Sequence, residues 1–125
     1  MILGIGTDIV TISRIERLWM LHGARLAHHL LTEEECAQIP PDAARFIAKR
    51  FAAKEAFAKA AGTGLRAPVL LRHITVTHDR LGRPDFAYAP VLRAWLTQRG
   101  VSNSHLSLSD ERDTVVAFVL LEGAT

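Results

Sequence analysis

The stretch from Arg45 to Leu65, RFIAKRFAAKEAFAKAAGTGL, contains no proline and consists almost wholly of strong helix formers, so one long helix is the structure it favours. Asp42 can cap the free amides at its start and Gly62 suits the left-handed residue that closes a helix, which predicts about five turns between them. At about 100° per residue, Phe46, Ile47, Phe51 and Phe57 share a broad apolar arc that needs a core. Glu55 sits at the edge of that arc and Lys59 lies one turn further on the same face. Ala48 and Ala52 leave the backbone there approachable by something bulky. A carboxylate, an ammonium and a shelf of methyl groups could seat a phosphate and a metal. The same spacing equally suits an exposed ion pair between Glu55 and Lys59.

The rest of the chain must supply what packs on that helix. With 125 residues, 49% of them hydrophobic, residues 1 to 125 are expected to form one domain with a real core. Ile2 to Val10 reads as a buried strand in which Gly4 and Gly6 permit close approach of another backbone or a ligand. Asp8 is the anomaly there, since a lone carboxylate in an apolar strand has to cap a helix, pair with a base or bind a cation.

Thr11 to His22 reads as a helix ended by Gly23, with Ile12, Ile15, Trp19 and His22 turned inward. Arg14, Arg17, Leu18 and Leu21 share its other side, a basic and apolar face suited to an acidic helix or to solvent. Arg25 to Leu31 continues as a short helical piece, and Thr32 with Glu35 makes a capping box. Alternation predicts strands at 73–79 and 85–88, a helix at Val91–Arg99 and a closing hairpin of 105–109 and 114–122, whose apolar second arm reads as a central strand. His105, Ser107 and Ser109 line one face of the first arm, where they could bind a phosphate or ribose or face water. These elements predict an α+β fold with the long central helix packed on a mixed or antiparallel sheet.

Several functions are disfavoured. A formal charge of +2 accommodates phosphates or an acidic partner without demanding a nucleic acid, and with 6% aromatics and no interleaved basic run single-strand binding is not expected. Neither GIG nor GTG completes a dinucleotide fingerprint or a P-loop, and no GxSxG or HExxH occurs. Cys36, the only cysteine, reads as a small core hydrophobe and points to a reducing compartment. Asp8 interrupts the first apolar run and no basic segment precedes it, so neither a signal peptide nor a membrane span is expected and the cytoplasm is the default location.

Taken together, GIGTDIV at 4–10 with SRI at 13–15, KRFAAKEAFAKAAGTGL at 49–65 and HLSLS at 105–109 resemble, in order and from end to end, the bacterial holo-[acyl-carrier-protein] synthases, which are 4′-phosphopantetheinyl transferases. The resemblance implies Mg²⁺-dependent transfer of 4′-phosphopantetheine from coenzyme A to a serine of apo acyl carrier protein, in support of fatty acid biosynthesis, with release of adenosine 3′,5′-bisphosphate. It implies that Asp8 and Glu55 hold the metal and that Lys59 stands beside the phosphates as cation or proton donor. It further implies that Arg50 and Lys54 bind coenzyme A phosphates and that Gly62 lets the backbone approach the nucleotide. The family's homotrimers, with sites at subunit boundaries, would have Ser107 and Ser109 complete a neighbour's site, while Arg14, Arg17 and Arg25 meet the carrier's acidic helix. The serine's base is left open between a coordinated water and one of the carboxylates. One departure stands out: many members carry histidine where this chain has Asp110, and an acid there is expected to repel a phosphate, so no ligand role is assigned to it. A non-catalytic module docking acidic helices, or a different phosphate-transfer enzyme, remain alternatives at this level.

Overall fold

The structure, a computed structural model, describes residues 1–125, and its elements follow the punctuation of the sequence. Strand β1 (Ile2–Thr11) leads into α1 (Ile12–His22), α2 (Ala24–Leu30) and the short α3 (Glu33–Cys36), then the long α4 (Ala43–Ala61). A 3-10 turn at Leu71–His73 opens β2 (Ile74–His78), followed by β3 (Pro84–Tyr88), α5 (Pro90–Gln98), β4 (Val101–Asp110) and β5 (Thr114–Gly123). Helix α4 has the expected ends: the Asp42 carboxylate accepts from the amide of Arg45, and Gly62 closes it at φ 79°.

All strand pairs are antiparallel. Strand β5 lies between β1 and β4, as its apolar run requires, while β2 and β3 form a separate hairpin. One cluster of 27 buried apolar residues takes side chains from both sheets and from α1, α2, α4 and α5, so the hairpin shares the main core. Phe57 of α4 ties it in, with ring centroids 5.4 Å from both Phe86 and Tyr88 of β3. No helix is long and apolar enough to cross a membrane.

The packing of α4 against β1 is unusually close. A Cβ on Gly4 would run into the carbonyl oxygen of Ala60, and one on Gly6 into that of Ala56. The close approach anticipated for these glycines is therefore made by a helix backbone, not by a ligand. Ala48 and Ala52, expected to offer an accessible shelf, are sealed in the core instead, because the sheet and neighbouring helices cover that side of α4. Strand β1 also departs from expectation, being an edge strand buried on one face only. Gly6 and Val10 face α4, whereas Ile5 and Ile9 are exposed beside Val116 and Phe118 of β5, since no layer covers the outer face of the sheet. His22 is exposed too, not turned inward, because α1 ends at Gly23 beyond the edge of the core.

Replacing Gly6 by alanine is expected to cost at least about 2 kcal/mol in urea unfolding through overpacking, while Thr7→Ala on the open face changes stability by about 0.5 kcal/mol or less. Equal tolerance at the two positions would contradict the close contact.

Candidate functional site

The register of β1 on α4 builds the site. Two strand residues rise about 6.7 Å and four helical residues about 6 Å, so the pairing of Gly4 with Ala60 and Gly6 with Ala56 carries Asp8 to the turn of Ala52 and Glu55. Lys59, one turn on, donates from Nζ to the carbonyl oxygen of Thr7 at 3.0 Å and to Oδ1 of Asp8 at 3.1 Å. The lysine thus bridges to β1 rather than closing an ion pair within its own helix, and one of its three N–H groups stays uncommitted. The Asp8 side chain is largely covered and that of Lys59 largely open.

Glu55 is half-buried and accepts no hydrogen bond from the protein. Burial and then the charge of Asp8 raise its carboxyl above the ordinary value, with Lys59 opposing. Two neighbouring carboxylates share one ammonium, which leaves a corner of net negative charge with free oxygen donors. No three His, Cys, Asp or Glu side chains are placed to hold a metal ion together. A cation here would draw two hard oxygens from the protein and the rest from water or substrate. That donor set fits magnesium, which holds several waters and prefers one or two carboxylates plus phosphate oxygens.

The two basic residues expected at the coenzyme phosphates part company. Lys54 is fully buried, and its Nζ donates to Glu35 Oε1 at 2.5 Å, the carbonyl oxygen of Leu30 at 3.0 Å and that of Leu71 at 3.2 Å. All three N–H groups are consumed, so the expectation that Lys54 holds a phosphate is corrected: it is an internal strut. Burial pulls its ammonium down, and the charge of Glu35 pulls back.

Arg50 is almost as buried, with its guanidinium 3.6 Å over the ring of Phe46, yet Nε has no hydrogen-bond partner and lies 3.9 Å from Glu35 Oε2. A buried N–H without an acceptor is costly, and Glu35 offsets only part of that cost through its charge. His78 lies near, its imidazole held below the ordinary value by burial and then by the charges of Arg50 and Lys49. The Arg50 corner is therefore electropositive, in contrast to the Asp8–Glu55 corner.

The other expected residues lie on the surface. Ser107 and Ser109 face outward from β4, opposite Phe118 and Val116 in the sheet register, while Leu106 is buried on the other side. Arg14, Arg17 and Arg25 are exposed on α1 and α2, together with Met20 and Leu21. Gly62 needs its left-handed conformation, and nothing lies within 4 Å of where its Cβ would be. Asp110 pairs with Arg45 at 2.6 Å and with Lys49 at 3.1 Å. Lys49 and then Arg45 hold its carboxyl below the usual range, so its charge is met within the chain.

Sequence reasoning missed Glu35. Its capping box forms, yet the same carboxylate also accepts from Lys54 and, through Oε2, from the amide of Val76 at 2.9 Å. The box gave the local role, but the second role depends on a lysine 19 residues away and had no local signal.

Residues 4–119 match the model of the 4′-phosphopantetheinyl transferase superfamily. A relative named holo-[acyl-carrier-protein] synthase from Laribacter hongkongensis is 58% identical over 125 residues, covering 98% of this chain and 100% of the relative. The crystal structure of the Neisseria meningitidis holo-[acyl-carrier-protein] synthase is similar at a TM-score of 0.94 and 52% identity, over 98% of this chain and 99% of that one. A Bacillus anthracis holo-(acyl-carrier-protein) synthase solved in complex with CoA (3′,5′-ADP) is similar at 0.81 and 35% identity, over 99% of both chains.

Breaking the buried Glu35–Lys54 pair from one side is expected to cost about 3–5 kcal/mol, measured by urea unfolding of Glu35→Gln or Lys54→Met, whereas the double replacement recovers most of that loss. A Lys54→Met protein as stable as wild type would contradict the strut.

Proposed function

The chain belongs to the 4′-phosphopantetheinyl transferase superfamily, among the holo-[acyl-carrier-protein] synthases, and we propose that it transfers 4′-phosphopantetheine from coenzyme A to a serine of the apo acyl carrier protein of fatty acid biosynthesis. The observation that carries this reading is the paired corner: two neighbouring carboxylates, Asp8 and Glu55, with one ammonium on one side, and on the same helix a buried guanidinium whose Nε has no hydrogen-bond partner. A pyrophosphate with a nucleotide phosphate asks for that division of charge.

Magnesium, held by Asp8 and Glu55, would neutralise the pyrophosphate and stabilise charge developing around the attacked phosphorus. The carrier serine Oγ, giving up its proton to a water or to one of the two carboxylates, forms a bond to the phosphorus next to pantetheine. The bond from that phosphorus to the bridging oxygen breaks, and adenosine 3′,5′-bisphosphate leaves. Lys59, fixed by Thr7 and Asp8, keeps one N–H to offer to the departing phosphate oxygen, where negative charge gathers. Arg50 clamps a coenzyme phosphate through the terminal N–H groups of its guanidinium. Lys54 has no place in this set.

The outer face of the sheet supports assembly as a homotrimer. Ile5, Ile9, Val116 and Phe118 leave a contiguous apolar surface on the isolated chain, and surfaces of that kind mark contacts between proteins. Ser107 and Ser109 flank it and would meet a neighbour's coenzyme. The carrier protein, whose recognition helix is acidic in this family, would dock on α1 and α2 through Arg14, Arg17 and Arg25, with Met20 and Leu21 excluding water.

Intact mass of an apo carrier protein incubated with enzyme, coenzyme A and Mg²⁺ is expected to rise by one phosphopantetheine, and an unmodified carrier would overturn the reading. Glu55→Gln is expected to lower the rate at least about a hundredfold, since residues behind a metal's ligands already cost about 10- to 100-fold. Arg50→Met separates two quantities: KM for coenzyme A rises about tenfold or more while thermal stability holds or increases, because the variant removes a buried cation whose Nε makes no hydrogen bond. A destabilised Arg50→Met protein with an unchanged KM would assign Arg50 to packing alone.

A further inference from the structure

Helix α1 starts without a cap of its own. Thr11 stands at its N-cap position but its side chain makes no capping bond, and the first turn holds no acidic residue. Two of the orphan amides of that turn are met from about 100 residues away, by the β4–β5 turn. Asp113 accepts from the amide of Ser13 at 2.8 Å through Oδ1 and from its hydroxyl at 2.8 Å through Oδ2. Its carbonyl oxygen accepts from the amide of Ile12, also at 2.8 Å. The carboxylate lies at the positive end of the helix dipole, where it is favoured.

The same turn grips the start of α4. Arg45 donates from Nη1 to Asp110 Oδ2 at 2.6 Å and to the carbonyl oxygen of Glu111 at 3.0 Å, and from Nη2 to that of Arg112 at 3.0 Å. Four consecutive residues, Asp110 at the end of β4 and the three that follow it, therefore fix the first turns of two helices. One helix carries Arg14, directly after Ser13, and the other carries Arg50 and Glu55.

We infer that Asp113 is a positioning residue for carrier-protein recognition: by capping α1 in trans it fixes where Arg14 stands relative to the reaction corner. The inference rests on the reading of α1 as the carrier-docking face. Asp113 touches no substrate, and its effect passes through the helix start it holds. Asp113→Ala frees the first turn of α1 to fray, so the carrier meets Arg14 in several positions instead of one. Asp113→Asn keeps an oxygen acceptor for the Ser13 amide and is the conservative rescue.

The test is steady-state kinetics of the full chain with apo carrier protein and coenzyme A varied separately, alongside hydrogen exchange of the α1 amides. Asp113→Ala is expected to raise KM for the carrier about tenfold, the scale of one lost cap, with kcat and KM for coenzyme A within about twofold of wild type and faster exchange at residues 12–15. Asp113→Asn is expected to return carrier KM to within about threefold of wild type. Ser13→Ala, which removes only the hydroxyl bond, shifts carrier KM in the same direction by less and serves as the measure should Asp113→Ala not fold.

Faster exchange with an unchanged carrier KM would overturn the inference, as would equal rises in KM for both substrates with a lowered melting temperature, the signature of general destabilisation. Arg14→Glu separates the two readings. If it raises carrier KM while Asp113→Ala does not, only the positioning role fails; if neither variant changes carrier KM, the docking face itself is wrong.

Discussion

The backbone contact between β1 and α4 is the constraint from which the site follows. Two glycines, spaced by two on a strand, meet two alanines, spaced by four on a helix, and the matching rises keep strand and helix in step. That register carries Asp8 to the turn of Glu55 and brings Lys59 within 3.1 Å of Asp8. Neither acid would be stable on an apolar face without a partner, so the contact that gathers them also sets up the demand for a cation. Core packing and chemistry are here the same piece of geometry.

Three cations on α4 show how burial and hydrogen bonding sort residues that look alike in sequence. Lys54 is sealed and saturated, Lys59 is open with a donor to spare, and Arg50 is sealed with its Nε left without a hydrogen bond. The first has no capacity left for a ligand. The second can approach a phosphate without desolvation, and the third has part of that cost already incurred in the folded chain. Arginine suits the last role because its planar fork binds a phosphate with two donors at once. Glu35 underlies the arrangement, since its carboxylate neutralises Lys54 and lies 3.9 Å from Arg50.

Much of this was legible before the fold was known, and the reasons are local. Asp42 and Gly62 bound α4 because caps are written in single residues, and β5 reads as central because its run is apolar throughout. Asp8 announced itself as a carboxylate out of place. What stayed hidden depends on distance along the chain. Glu35 with Lys54, Asp113 with Ser13 and Arg45 with the β4–β5 turn join residues far apart in sequence, and no periodicity encodes them. Lys54 misled for the same reason, since its neighbours in sequence suggest a phosphate while its neighbours in space are carbonyls. The open face of β1 was hidden because Ile5 and Ile9 look like core residues whether the layer covering them is their own chain or another copy.

The claim at the centre is that Asp8 and Glu55 share one divalent cation in front of the coenzyme. Crystals grown with coenzyme A and Mn²⁺ in place of Mg²⁺, measured at the manganese absorption edge, test it directly. The account predicts one anomalous peak per chain, bound by an oxygen of each carboxylate and by pyrophosphate oxygens. A peak elsewhere, or a manganese ion bound to the coenzyme with neither carboxylate in contact, would contradict it.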